Sequence, residues 1–102
     1  MPGKQYPLAV LLRMTGSLRS RVRRGRGGVK STSVSSGNMR AVVGSRPGTD
    51  AGAVDGYMAF IDARDKSTSR YIVLRAAFGA TAEEALLNLE NVLRQEAGRS
   101  TP

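Results

Sequence analysis

"GYMAFIDARDKSTSRYIVLRAAF", residues 56–78, decides the fold. Two runs rich in β-branched and aromatic residues flank a polar stretch, Asp65–Ser69, with the composition of a turn. The pattern predicts an antiparallel hairpin in which 56–64 pairs with 70–78. With the turn centred near Ser67, Phe60 falls opposite Leu74 and Met58 opposite Ala76. One face then carries Met58, Phe60, Ile72, Leu74, Ala76 and Phe78 and is expected to meet a helix. Asp62 and Arg70 become diagonal neighbours on that face, near enough to pair. The other face carries Tyr57, Ile61, Tyr71 and Val73, which is too apolar to be left bare. Those four residues form the candidate association face, for a second copy of the chain or for a protein partner.

The helix that covers the hairpin is expected directly after it. In "TAEEALLNLENVLRQEA", residues 81–97, Thr81 is a natural N-cap and Glu84 completes a capping box. Ala82, Ala85, Leu86, Leu89, Val92, Leu93 and Ala97 share one arc of a helical wheel. Glu83, Glu84, Asn88, Glu90, Asn91, Arg94 and Gln95 lie outside it, and Glu90 stands four residues before Arg94, the favourable order for an ion pair. Gly98 is the expected stop, and Leu87 is the large apolar residue off the stripe.

A two-stranded hairpin is marginal by itself. "MRAVVGS", residues 39–45, is the candidate third strand, and "RPGTDAGAVDG", residues 46–56, reads as the loop that follows it. The predicted fold class is therefore α+β: a small antiparallel sheet packed on a C-terminal helix. It occupies residues 39–98, with 99–102 as a tail and 1–38 as a basic, flexible N-terminal segment.

That first segment reads two ways. In "YPLAVLLRMT" Leu8, Leu11, Leu12, Thr15, Leu18 and Val22 gather on one helical side, with Arg19 among them. Leu8, Val10, Leu12 and Met14 also alternate as in a strand. A short helix over 8–15, fraying through the arginines, is the preferred reading. Residues 23–38, "RRGRGGVKSTSVSSGN", contain almost nothing that packs and are expected to be disordered.

Charge divides the chain more sharply than hydropathy. Residues 1–49 hold ten Lys and Arg and no acid, whereas 50–102 hold six basic and eight acidic residues. "RSRVRRGRGGVK", residues 19–30, concentrates six of the cations. Such asymmetry points to a polyanion, an anionic membrane surface or an import receptor as the target of the basic half. The preferred reading assigns Arg19, Arg21, Arg23, Arg24, Arg26 and Lys30 to nucleic-acid phosphates, where each neutralised phosphate releases counterions irrespective of sequence. An Arg-rich, Ser-rich, acid-poor start also fits a cleavable mitochondrial presequence. A solvated tail with no ligand is the bland alternative. "PLAVLL" is too short, and too closely followed by arginines, for a secretory signal.

Chemistry is thinly represented. With no Cys and no His, disulfides, thiolate metal sites and the commonest general base are excluded. "GRGGVKST" approaches a phosphate-binding P-loop but has Val29 where the glycine before the lysine belongs. Asp55, Asp62 and Asp65 suggest a hard-cation site only loosely, since each is accounted for by a turn, a strand or a hairpin end. Tyr57 and Tyr71 invite comparison with the base-stacking aromatics of RNA-binding sheets. No enzyme activity, cofactor, metal or small-molecule substrate is expected.

"GYMAFIDARD" followed by "FGATAEEALLNLENVL" resembles the N-terminal domain of HicB-type antitoxins over residues 56–93, through Gly79, Thr81, Glu83, Glu84, Ala85 and Leu86. That resemblance implies a protein-binding inhibitor module in which the basic tail is incidental. The order helix, three strands, helix is also similar to a double-stranded-RNA-binding domain. Ala82, Glu83 and Glu84 stand where such a domain opens its last helix with lysines, which would move any RNA contact to the N-terminal arginines. The combined expectation is a small intracellular adaptor, cytoplasmic or associated with the nucleus or nucleoid. It would bind RNA or DNA through its arginines and associate through its α+β domain. A protein-binding inhibitor and a small protein of the mitochondrial matrix are the alternatives.

Overall fold

The computed structural model describes residues 7–24, 31–47 and 54–99. Its elements in chain order are α1 (Leu8–Arg24), β1 (Ser31–Ser36), β2 (Met39–Pro47), β3 (Val54–Arg64), β4 (Tyr71–Gly79) and α2 (Ala82–Arg99). The strands form one antiparallel meander in the order β1-β2-β3-β4. Both helices pack together on one side of it. The fold is α+β, with the hairpin, the third strand and the C-terminal helix where the sequence pattern places them.

α2 forms for the reasons legible in its sequence. The Glu84 N–H donates to Thr81 Oγ1 at 3.1 Å, while the Glu84 carboxylate accepts from the Ala80 N–H at 3.2 Å. Ala85, Leu86, Leu89 and Leu93 are completely buried, each leucine contributing about 1.5–3 kcal/mol. Helix and strand approach so closely at Gly79 that an added Cβ would lie 2.5 Å from the Ala85 nitrogen. Glycine is required there for the tight turn from β4 into α2. The helix runs one residue past Gly98, to Arg99.

Two expectations about the N-terminal segment are corrected. α1 extends to Arg24 instead of fraying after residue 15, and residues 31–36, expected to be disordered, form an edge strand. α1 is held by Leu11, Met14, Thr15 and Leu18, all buried against the rest of the core, so tertiary packing carries it through Gly16 and the arginines. β1 needs little packing of its own. Its backbone pairs with β2 from Ser31↔Gly44 to Ser36↔Met39, Val34 contacts the core, and Gly37 supplies the positive φ (60°) of a two-residue turn.

The hairpin is present with a different register and with its faces exchanged. Phe60 pairs with Ala76 and Met58 with Phe78, two residues from the expected register. The register shifts after Ile61, so Leu74 is an extra residue on β4. Met58, Phe60, Ala76 and Phe78 do share a face, but it is the face away from the helices. α1 and α2 instead cover Ala41, Val43, Ala59, Ile61 and Ala77, all buried.

The bulge splits the expected association face. Ile61 is fully buried and Tyr57 packs on the core, whereas Tyr71 and Val73 cross to the open face and are 50% and 58% exposed. Asp62 does not pair with Arg70. It pairs with Arg40, its cross-strand partner on β2.

Candidate nucleic-acid interface

At about 100° per residue, α1 sorts its polar side chains into two sets. Arg19 and Arg23 point toward α2. Arg19 Nη1 donates to Glu90 at 2.8 Å, and Glu90 is buried and also near Arg94 at 3.7 Å. Arg23 donates twice to Glu83, at 2.8 and 2.9 Å. These two arginines therefore clamp one helix to the other. Arg19 lay among apolar positions on the sequence wheel because its guanidinium is drawn into the helix–helix contact.

Arg13, Ser17, Ser20, Arg21 and Arg24 occupy a different arc, roughly 100° wide. They line a groove of about 420 Å³ between α1 and the edge strand β1, whose opposite wall is Val34, Ser35 and Ser36. Arg21 Nη1 donates to the Ser33 carbonyl at 3.3 Å and Arg24 Nε to the Ser20 carbonyl at 3.4 Å. No carboxylate among the described residues forms an ion pair with Arg13, Arg21 or Arg24. Of the six cations expected to hold phosphate, two are thus engaged by α2, two line this groove, and Arg26 and Lys30 lie outside the described residues. Arg13 is the groove residue that the charge run did not reveal, since it stands alone in an apolar stretch.

Ser35 also lines a second, wider cleft of about 870 Å³ at the end of the sheet. Its walls include Asn38 from the β1–β2 turn, Arg40, Arg64 and Tyr71, with Lys66 and Ser69 from the β3–β4 turn. The two turns are tied together: the Arg64 N–H donates to the Asn38 carbonyl at 2.8 Å, and Asn38 Nδ2 donates to the Arg64 carbonyl at 3.2 Å. Asp65 shapes the second turn by accepting from Ser67 N–H and Oγ at 3.0 and 2.9 Å.

The carboxylate beside this cleft is neutralised. Asp62 is 2% exposed and accepts from Arg40 Nε and Nη2 at 3.3 and 2.8 Å. Its hydrogen bond raises the Arg40 pKa above the ordinary value, outweighing the opposing effect of burial. Arg40 also lies over the Tyr71 ring at 4.3 Å, and Arg46 over the Phe78 ring at 4.7 Å.

Other chemistry finds no support among the described residues. No group of three acidic side chains there is placed to hold a metal ion. Of "GRGGVKST", only Ser31 and Thr32 are described, and both belong to β1. No described helix is long and apolar enough to cross a membrane. No protein-family model, curated protein or solved structure matches the chain.

Proposed function

We propose that this protein is a non-enzymatic nucleic-acid-binding module that grips the phosphate backbone without reading sequence. The observation that carries the reading is the sorting of arginines on α1. Glu83 and Glu90 take Arg23 and Arg19, while Arg13, Arg21 and Arg24 are left together on a serine-lined groove beside a strand edge. Guanidinium groups suit phosphate oxygens through paired N–H donors, and the serine hydroxyls add neutral donors between them. A net charge of +8 adds long-range attraction to the same partner.

The first test uses full-length protein, a labelled single-stranded RNA, a labelled duplex DNA and a series of salt concentrations. Wild type is expected to bind with affinity that falls steeply as salt rises. Replacing Arg13, Arg21 and Arg24 together with alanine should reduce the slope of log affinity against log salt by about 2 to 3. The charge-matched triple at Arg23, Arg94 and Arg99 should leave most of that slope in place. Equal losses in the two triples would show that net charge alone, and not the groove, governs binding.

A further inference from the structure

We infer that the uncovered face of the sheet is a platform for the bases of single-stranded nucleic acid, with Tyr71 and Phe78 as the stacking residues. The inference rests on the phosphate-binding reading of the groove and adds the class of strand and the place of its bases.

The bulge at Leu74 puts both rings on the open face, at opposite ends of β4. They are separated by roughly 20 Å at about 3.3 Å per strand residue. Each is about half exposed, and each carries a guanidinium against it. Between them Phe60, Met58 and Ala76 form an apolar floor that no described element covers.

Charge complementarity selects the occupant. Asp62 is buried beneath its ion pair, and the partly buried Asp65 accepts from Ser67 within its own turn, so the cations Arg46, Arg64 and Lys66 outnumber the carboxylates around the rings. A second copy laid on the same face would bring these cations against their own equivalents, which is unfavourable. A polyanion carrying flat apolar groups meets both requirements at once. A duplex does not, because its bases are stacked inside and cannot reach the rings, whereas an unpaired strand can splay them outward. The path from groove to platform is continuous at Ser35, which lines the arginine groove on one side and the Tyr71 cleft on the other.

The experiment compares a fluorescein-labelled oligouridine with a duplex of equal length. It uses full-length wild type, Tyr71→Ala, Phe78→Ala, the double variant, and Tyr71→Phe, with circular dichroism to verify folding. Each alanine should weaken single-strand binding about tenfold and the double variant about a hundredfold, with duplex binding unchanged. Tyr71→Phe, which keeps the ring, should bind like wild type. Unchanged single-strand binding in the double variant, while the Arg13, Arg21, Arg24 triple still loses affinity, would overturn the stacking role and leave the groove standing. A lower solution mass for the double variant by light scattering, without loss of binding, would reassign the face to contact between copies. Failure of wild type to bind either probe would overturn both readings.

Discussion

The two faces of the sheet are both apolar, yet they are built from different residues. Beneath the helices lie Ala41, Ala59, Ala63 and Ala77, with Val43, Ile61 and the partly buried Tyr57 as the larger members. On the open side stand Met58, Phe60, Tyr71, Val73 and Phe78. Small side chains let α1 and α2 approach the strands closely, and the volume between the layers is then filled by Leu11, Leu18, Leu86, Leu89 and Leu93 from the helices. Bulky residues in place of those alanines would hold the helices away. The larger hydrophobes of the open side therefore sit where none of the described elements packs on them, the kind of exposed apolar patch that the proposed platform would use.

The sharpest way to break this comparison is to truncate one large side chain on each side. Leu89→Ala removes a fully buried side chain from between the layers and should cost about 3–5 kcal/mol, enough to unfold much of so small a domain. Phe78→Ala, at 51% exposed, should cost less than about 1 kcal/mol despite deleting a larger group. Urea unfolding followed by circular dichroism measures both. Comparable losses would mean that Phe78 is covered in solution, and the open face would have to be redrawn.

Arg40 supplies the next largest effect and tests how the open face holds its charge. Arg40→Ala leaves the Asp62 carboxylate, 3% exposed in its side chain, without its bidentate partner. Because water can re-enter from the open side, the expected cost is about 2–3 kcal/mol, below that of breaking a fully enclosed pair. The pKa of Arg40 is raised, so its stabilising charge is fully present below the ordinary arginine value and is lost only at still higher pH. Stability should accordingly show no loss attributable to Arg40 between neutral and moderately alkaline pH. A drop in the wild-type urea midpoint across pH 7 to 10 that disappears in Arg40→Ala would contradict this.

How much of this was legible beforehand follows from which interactions are local. α2 was readable nearly residue by residue, because its cap, its stripe and its first-turn acids all lie within seventeen residues. The hairpin turn was readable too, since Asp65 and Ser67 bond within it. The faces were not, for two reasons. The larger side chains Met58, Phe60 and Phe78 suggest a covered face, whereas close helix packing selects alanine, and the bulge at Leu74 reverses the parity of Tyr71–Val73 without any glycine to announce it. The ion pairs Arg19–Glu90 and Arg40–Asp62 join residues 71 and 22 positions apart, so charge counting could find the arginines but not tell the clamped from the available.

The smallest predicted effect isolates the open face from every other influence. Ala76 lies there opposite Phe60 and is exposed, with Ala77, its buried neighbour, on the covered side. Ala76→Val adds two methyl groups to a strand position with no layer of the described residues above it. It should be neutral or stabilising by up to about 0.5 kcal/mol through better strand propensity and contact with Phe60. The same substitution at Ala77 meets the helices and should be destabilising by about 1–3 kcal/mol through overpacking. Opposite signs at two adjacent residues of one strand, measured by thermal and urea unfolding, are what a sheet covered on one side alone demands. A destabilising Ala76→Val would place a packed layer over the proposed platform and remove the room in which a base would stack.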